Sequence, residues 1–192
     1  MSEKVLLVQE KENESKDLLY VLSSIGYDDV RVVESSHDIV RHAKDYDMDF
    51  MLVDVYRPGP DLLNMIAETI QKRPVPVIMF VEESSDDIIT DVIKSGVSAY
   101  VVDGYQRNRV RGVISLARVR FEENQRLLGE LEEAKSALNG RKLIDRAKGI
   151  VMKQKACDEE TAYKLIRKMA MDKNVRITDV AKQLIDLVDL MQ

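Results

Sequence analysis

The chain has 192 residues, 45% of them hydrophobic and 33% charged, and its formal net charge is −5. This length suffices for one large domain or two small ones with a buried core. No apolar run approaches the roughly 20 residues of a membrane span, and the N-terminal stretch is too charged for a signal peptide, so we expect a cytoplasmic protein. The single cysteine, Cys157, excludes an internal disulfide and forms no metal-ligand pattern with His37 and His42.

The first 118 residues alternate short apolar runs with amphipathic segments. Apolar runs at 4–8, 30–33, 50–53, 75–80 and 99–102 are typical of buried parallel strands, and the segments between them have helical periodicity. This alternation predicts a doubly wound α/β domain over residues 1–118. Its functional residues should lie at the carboxyl ends of the strands.

These 118 residues resemble a response-regulator receiver domain, a flavodoxin-like fold whose strand order would be 2-1-3-4-5. Asp54 matches the phospho-acceptor, and Glu10 matches one of the two acidic residues that would hold Mg²⁺. Receiver domains carry the second acidic residue where this chain has Gln9. They carry a Ser or Thr where it has Val81, and a Lys where it has Asp103. Phosphoryl transfer depends on cations that offset charge on the phosphoryl oxygens.

We therefore expect phosphorylated Asp54 to be poorly stabilised and no cofactor other than, at most, Mg²⁺ at Glu10 and Asp54. The alternative interpretation of Asp54 is a polar residue at a solvent-facing strand end.

Residues 119–140 contain no proline and extend the last predicted helix of the front domain. A heptad spacing in this region, with Leu127 or Leu128 and Ala134 between its positions, predicts the coiled-coil seam of a homodimer, in which a buried Asn fixes the register. Asn139–Gly140 should end this helix. A single long helix packed against its own α/β domain is the alternative. The predicted seam residues are Ala117, Asn124, Leu131 and Leu138.

Residues 141–192 have the periodicity of three short amphipathic helices, which predicts a three-helix bundle. A break at 156–158 separates the first two helices, and Asp158 and Thr178 are N-cap candidates. These residues carry 12 Lys and Arg against 8 Asp and Glu, a net charge of +4, which leaves −9 for the other 140 residues. This asymmetry suits a C-terminal module that contacts phosphate.

Three sequence blocks in the C-terminal part, IDRAKGIVM, EETAYKLIRKMAM and ITDVAKQLI, resemble the ANTAR domain over roughly residues 123–190. ANTAR domains are RNA-binding antitermination modules that usually follow a receiver or other sensor domain. Together with PVIMFVEES and IKSGVSAYVVDG, these blocks resemble the NasT-type antiterminators, which respond to nitrate and nitrite. This resemblance implies binding to paired hairpins in a leader mRNA, control by a NasS-like nitrate-sensor protein, and an active homodimer.

Basic residues decorate the outer faces of the predicted bundle and are candidates for contact with RNA. Gly149 lies within a basic stripe, where a missing side chain would either let RNA approach the backbone or relieve a tight helix crossing. Tyr163, beside Ala162, is expected in the core. The candidate RNA-binding residues are Arg141, Arg146, Lys148, Gly149, Lys153, Arg167 and Lys168.

Other functions are less well supported by the sequence. A phosphorylation-controlled DNA-binding response regulator would need a recognition helix, but the third predicted helix carries Asp179, Asp186 and Asp189, which would repel DNA. A protein-interaction module is a further alternative, in which the basic residues only face solvent. An enzyme is the least expected, because we find no nucleophile–base pair, Gly-rich phosphate loop or metal cluster.

Overall fold

A computed structural model describes residues 3–10, 16–35 and 38–189, and the chain forms two compact units, Met1–Gln125 and Arg126–Gln192. His37 lies outside the described residues. Within the described ranges, none of the helices combines the length and the apolar character that a membrane span requires.

The first unit is a five-stranded parallel sheet with helices on both faces. The sheet order is β2-β1-β3-β4-β5, which confirms the predicted doubly wound α/β fold. The strands are β1 Lys4–Gln9, β2 Asp29–Glu34, β3 Phe50–Val55, β4 Val77–Val81 and β5 Ala99–Val101. The helices are α1 Lys16–Ser24, α2 Ile39–Asp45, α3 Pro60–Lys72, α4 Asp86–Lys94 and the first part of α5 Val110–Lys155.

Alternating strand residues build two separate cores, one on each face of the sheet. Leu6 and Val53 pack towards α2, α3 and α4, whereas Leu7 and Leu52 pack towards α1 and α5. Because both faces are covered, β1, β3 and β4 read as continuous apolar runs in the sequence. The edge strand β2 is largely exposed, contrary to the prediction of a buried strand at 30–33. Every residue of β3 is buried, including Asp54 at its carboxyl end.

The second unit is a three-helix bundle made by the C-terminal part of α5, α6 Glu159–Lys173 and α7 Ile177–Asp189. The Asp158 carboxylate accepts a hydrogen bond from the backbone N–H of Thr161 at 2.8 Å, so Asp158 caps α6 as predicted. Asn174 ends α6 in the left-handed conformation, with φ 52°. Thr178, an expected cap, instead lies within the first turn of α7.

The helical periodicity of the sequence predicts that Ala162, Leu165, Ile166 and Met169 form the buried face of α6, but the observed face differs. Ala162 and Ile166 are buried as predicted, but the third member of the stripe is Ala170. Leu165 and Met169, which we expected in the core, are exposed. A spacing of four residues keeps the buried positions on one narrow arc, and Leu165 and Met169 fall beside it.

Helix α5 does not end at Asn139–Gly140 but continues to Lys155. A Cβ atom at Gly140 would lie 3.1 Å from Cγ2 of Thr178 in α7, so glycine allows the two helices to approach closely here. The sequence signal for a helix end was therefore wrong. Glycine costs roughly 1 kcal/mol in a helix interior, which the continuing helix tolerates.

One of the four predicted seam residues of the dimer, Ala117, is not available for a seam. Ala117 is fully buried in the core between α5 and the sheet, with Val110 and Ile114, and it therefore cannot belong to an exposed seam. Asn124, Leu131 and Leu138 lie on exposed parts of α5.

Alanine substitutions at two glycines of α5 distinguish the effect of helix propensity on stability from the effect of packing against α7. A Cβ at Gly129 would meet no described atom within 4 Å, so Gly129→Ala should raise the free energy of unfolding by about 0.5–1 kcal/mol. Gly140→Ala should gain less or be destabilising, because the new methyl meets Thr178. Urea unfolding followed by circular dichroism measures both variants. Equal stabilisation by the two substitutions would contradict the close contact at Gly140.

Candidate nucleic-acid interface

Most of the predicted RNA-binding residues of the bundle are Arg or Lys residues with exposed side chains. Among the described residues, Arg146 and Lys148 form ion pairs, whereas the other cations of this set have no ion-pair partner. The Nη2 atom of Arg146 donates to both oxygens of the Asp189 carboxylate, at 2.7 and 3.1 Å, in a solvent-exposed position. Exposed ion pairs contribute little stability, so this guanidinium can exchange its partner for a phosphate at little cost. The exposed cations are Arg141, Arg146, Lys153, Arg167 and Lys168.

Lys148 has a different environment from the other candidates. Its side chain is only 15% exposed, and its Nζ lies 2.6 Å from both Asp145 Oδ1 and Glu159 Oε1. The hydrogen bonds to Asp145 and then to Glu159 raise the pKa of the Lys148 ammonium above its ordinary value. Lys148 thus joins α5 to the start of α6. Its contact with RNA stays a prediction.

Gly149 lies on an open part of the α5 surface. Within the part of the chain that the structure describes, a Cβ at this position would meet nothing within 4 Å. The described helices therefore make no tight crossing here that would require glycine. This leaves the backbone of Gly149, between Arg146 and Lys153 on the helix, open to close approach by a ligand.

Tyr163 is not in the core, contrary to expectation. It is 40% exposed and lines a cleft of about 720 Å³ together with Arg141, Arg176 and Thr178. Its neighbour Ala162 lies on the buried arc of α6, and one step of about 100° along the helix takes Tyr163 off that arc. Arg176, between α6 and α7, was not singled out by the sequence analysis, because a single basic residue in a connection carries no pattern.

In the first unit, the carboxyl ends of β1 and β3 bring the expected receiver residues to one edge of the sheet. Gln9 is the register partner of Asp54. The Glu10 carboxylate accepts a hydrogen bond from the backbone N–H of Tyr56 at 3.3 Å. Asp54 is 5% exposed, which excludes the alternative of a solvent-facing strand end.

Comparison with known proteins assigns the C-terminal part of the chain. Residues 132–185 match the family described as the ANTAR domain. This part of the chain is an ANTAR domain. The transcriptional regulatory protein PdtaR of Mycobacterium tuberculosis is 28% identical over 183 residues, which cover 95% of this chain and 89% of that protein. A nitrate regulatory protein of Klebsiella oxytoca is 42% identical over 73 residues, or 38% of this chain and 18% of that protein.

Solved structures share the fold of the first unit. The signal receiver domain of a modulated diguanylate cyclase from Desulfovibrio desulfuricans G20 has a TM-score of 0.55 and 21% identity, covering 65% of this chain and 99% of that chain. A CheY-like receiver domain protein from Methanospirillum hungatei JF-1 has a TM-score of 0.53 and 16% identity, covering 64% and 99%. The ANTAR domain therefore follows a receiver-like fold, as the sequence predicted.

The receiver-like site does not fit Mg²⁺ well. Mg²⁺ prefers a near-octahedral set of oxygen ligands. No group of three or more His, Cys, Asp or Glu side chains suited to a metal occurs among the described residues. The Oε1 atom of Gln9 is buried and has no hydrogen-bond partner in those ranges, but a neutral amide oxygen is a weaker ligand for Mg²⁺ than the carboxylate it replaces.

The residues that would stabilise a phosphoryl group on Asp54 are also unsuitable. Val81 is fully buried and has no hydrogen-bond donor on its side chain. Asp103 is exposed, carries a negative charge, and has a left-handed backbone with φ 65°, a conformation that Asp adopts more readily than most residues. No cation replaces the Lys of the receiver pattern at this position.

Acetyl phosphate with MgCl₂ should leave Asp54 unmodified, because the developing negative charge lacks its cation and its hydroxyl partner. Intact-protein mass spectrometry should show no more phosphate on the wild-type chain than on Asp54→Asn. The double variant Gln9→Asp with Val81→Thr restores two of the missing groups and should be phosphorylated at least about tenfold more. Stoichiometric phosphate on wild-type Asp54 would overturn this prediction.

Proposed function

We propose that this chain is an RNA-binding transcription antiterminator, in which the ANTAR domain binds paired hairpins of a leader mRNA and prevents a terminator from forming. The observation that carries the proposal is the ANTAR match over residues 132–185. RNA binding and antitermination are what the resemblance to this family implies. The chain is then a regulator rather than an enzyme.

Internal ion pairs of the bundle support a basic RNA-facing surface. Four of its carboxylates are engaged, two by Lys148, one by Lys164 and one by Arg146. The remaining exposed cations can therefore act on an external polyanion without first breaking internal contacts. We propose Arg141, Lys153, Arg167 and Lys168 for phosphate contacts and the backbone of Gly149 for close approach to a base.

We further propose that a NasS-like nitrate-sensor protein controls this activity, for genes of nitrate or nitrite assimilation. Two observations support this input. A stretch of 73 residues of this chain is 42% identical to part of a nitrate regulatory protein. The receiver-like site also lacks the cationic and hydroxyl groups that phosphate control requires, so a partner protein is the better input.

A homodimer would place two ANTAR domains beside two neighbouring hairpins. Leu127, Leu131 and Leu138 follow heptad spacing on α5, and each is about half exposed. With Ala134 and Asn124, they form an apolar stripe with one polar position, which suits a second copy of the same helix. We propose that the seam begins at Asn124 and not at Ala117.

RNA recognition is tested by selection from a library of tandem hairpins with randomised loops, with duplex DNA as competitor. On the selected RNA, Lys153→Gln should reduce the slope of log Kd against log salt by about 1, because one phosphate contact is lost. Lys44→Gln, at an exposed lysine of the first unit, is the matched control and should change nothing.

Gly149→Ala meets no described steric conflict, so weaker RNA binding by this variant would report the approach of RNA to the backbone. Preferential binding of the duplex DNA by the wild-type chain would contradict the proposed function.

The dimer seam is tested with Leu131→Glu combined with Leu138→Glu. Both positions are exposed, so the bundle should fold while the dimer dissociates in analytical ultracentrifugation. Affinity for tandem hairpins should fall by about 10² or more, whereas affinity for a single hairpin should be unchanged. Leu187→Glu, at an exposed leucine of α7, is the control. A double variant that remains dimeric would exclude this seam.

A further inference from the structure

Two clefts of the ANTAR domain share one aromatic wall, the side chain of Tyr163. The larger cleft, of about 720 Å³, is bordered by Arg141 and Arg176. The smaller, of about 340 Å³, is bordered by Arg167 and Asn174. Tyr163 is the aromatic residue in both linings, and it makes no hydrogen bond within the described residues. The packing of the bundle therefore does not account for an exposed ring at this position.

Charged groups of both signs line the larger cleft, including the exposed carboxylate of Glu133. Lys148 and Asp145 line it but are paired with each other. Arg141 and Arg176 are exposed and have no ion-pair partner in the described part of the chain. The cleft thus offers a flat apolar ring, two available guanidinium groups, and polar atoms that can meet the edge of a ligand.

We propose that Tyr163 is a stacking platform for an unpaired nucleobase of the RNA, and that Arg141 and Arg176 hold the phosphates or the base beside it. This inference rests on the proposed RNA-binding function and names a residue outside the predicted RNA-binding set. A cleft of several hundred cubic ångströms accepts a ligand the size of one nucleotide. Aromatic and guanidinium faces are the usual platforms for splayed bases in single-stranded loops.

A paired stem would not use this site. The bases of a duplex are stacked on each other, and the narrow major groove of A-form RNA does not expose them to side chains. An unpaired loop base has two free faces, and one of them can lie against the Tyr163 ring that lines the cleft. The site therefore selects looped-out nucleotides over stems.

The test uses the full-length chain and the tandem-hairpin RNA selected with the wild type. Tyr163→Leu should weaken binding by about 5- to 150-fold, which corresponds to the loss of one stacked base. Tyr163→Phe keeps the ring and should bind within about twofold of wild type. Arg176→Gln should weaken binding, and Tyr20→Leu, at an exposed tyrosine of the first unit, should not.

A direct readout comes from Tyr163→Trp, because the chain contains no other tryptophan. Stacking of a base on this indole should quench its fluorescence upon addition of the RNA. Wild-type affinity in Tyr163→Leu, or no quenching in a Tyr163→Trp variant that binds RNA, would overturn the stacking role and leave the RNA-binding function intact. Failure of the wild-type chain to select any RNA would overturn both. If Tyr163→Leu does not fold, as judged by circular dichroism, the fluorescence of Tyr163→Trp upon addition of RNA decides the outcome.

Discussion

Close packing of small side chains is the constraint on which the ANTAR domain depends. Ala147, Ala162 and Ala181, one from each helix, are fully buried in its core. Alanines and Gly140 let the three helices approach closely, so a narrow stripe on each helix suffices to hold the bundle. The rest of each helix surface remains available, and this is where the cations and Tyr163 lie. A core of larger side chains would have required wider buried faces and left less surface for a ligand.

The sequence predicted the elements well wherever one local signal dominated. Continuous apolar runs indicated the buried strands β1, β3 and β4, and Asp158 indicated the start of α6. Predictions failed where the answer depended on a contact made elsewhere in the chain. Gly140 signals a helix end locally, but its proximity to Thr178 gives it a packing role. Tyr163 was expected in the core because it is adjacent in sequence to the buried Ala162. The sequence does not show how wide the buried face of each helix is, so it could not place Tyr163 outside that face.

The seam at Ala117 failed for a related reason. A helix that packs on a sheet buries residues at spacings of three and four, and these coincide with a heptad over one or two turns. Val110, Ile114 and Ala117 follow such a spacing and face the sheet. Beyond Asn124, the heptad leucines Leu127, Leu131 and Leu138 are exposed and have no such cover. Candidate RNA-binding residues were easier to place, since charged side chains on a small bundle are rarely buried; Lys148 is the exception because two carboxylates surround it.

The left-handed backbone at Asp103 bears on how a phosphate switch could be built into this receiver-like fold. A mutation that returned lysine to this position would restore the positive charge but add a backbone penalty of roughly 1 kcal/mol, because lysine adopts this conformation less readily than aspartate. Installing a phosphate switch on this scaffold would thus demand a reshaped loop as well as new side chains.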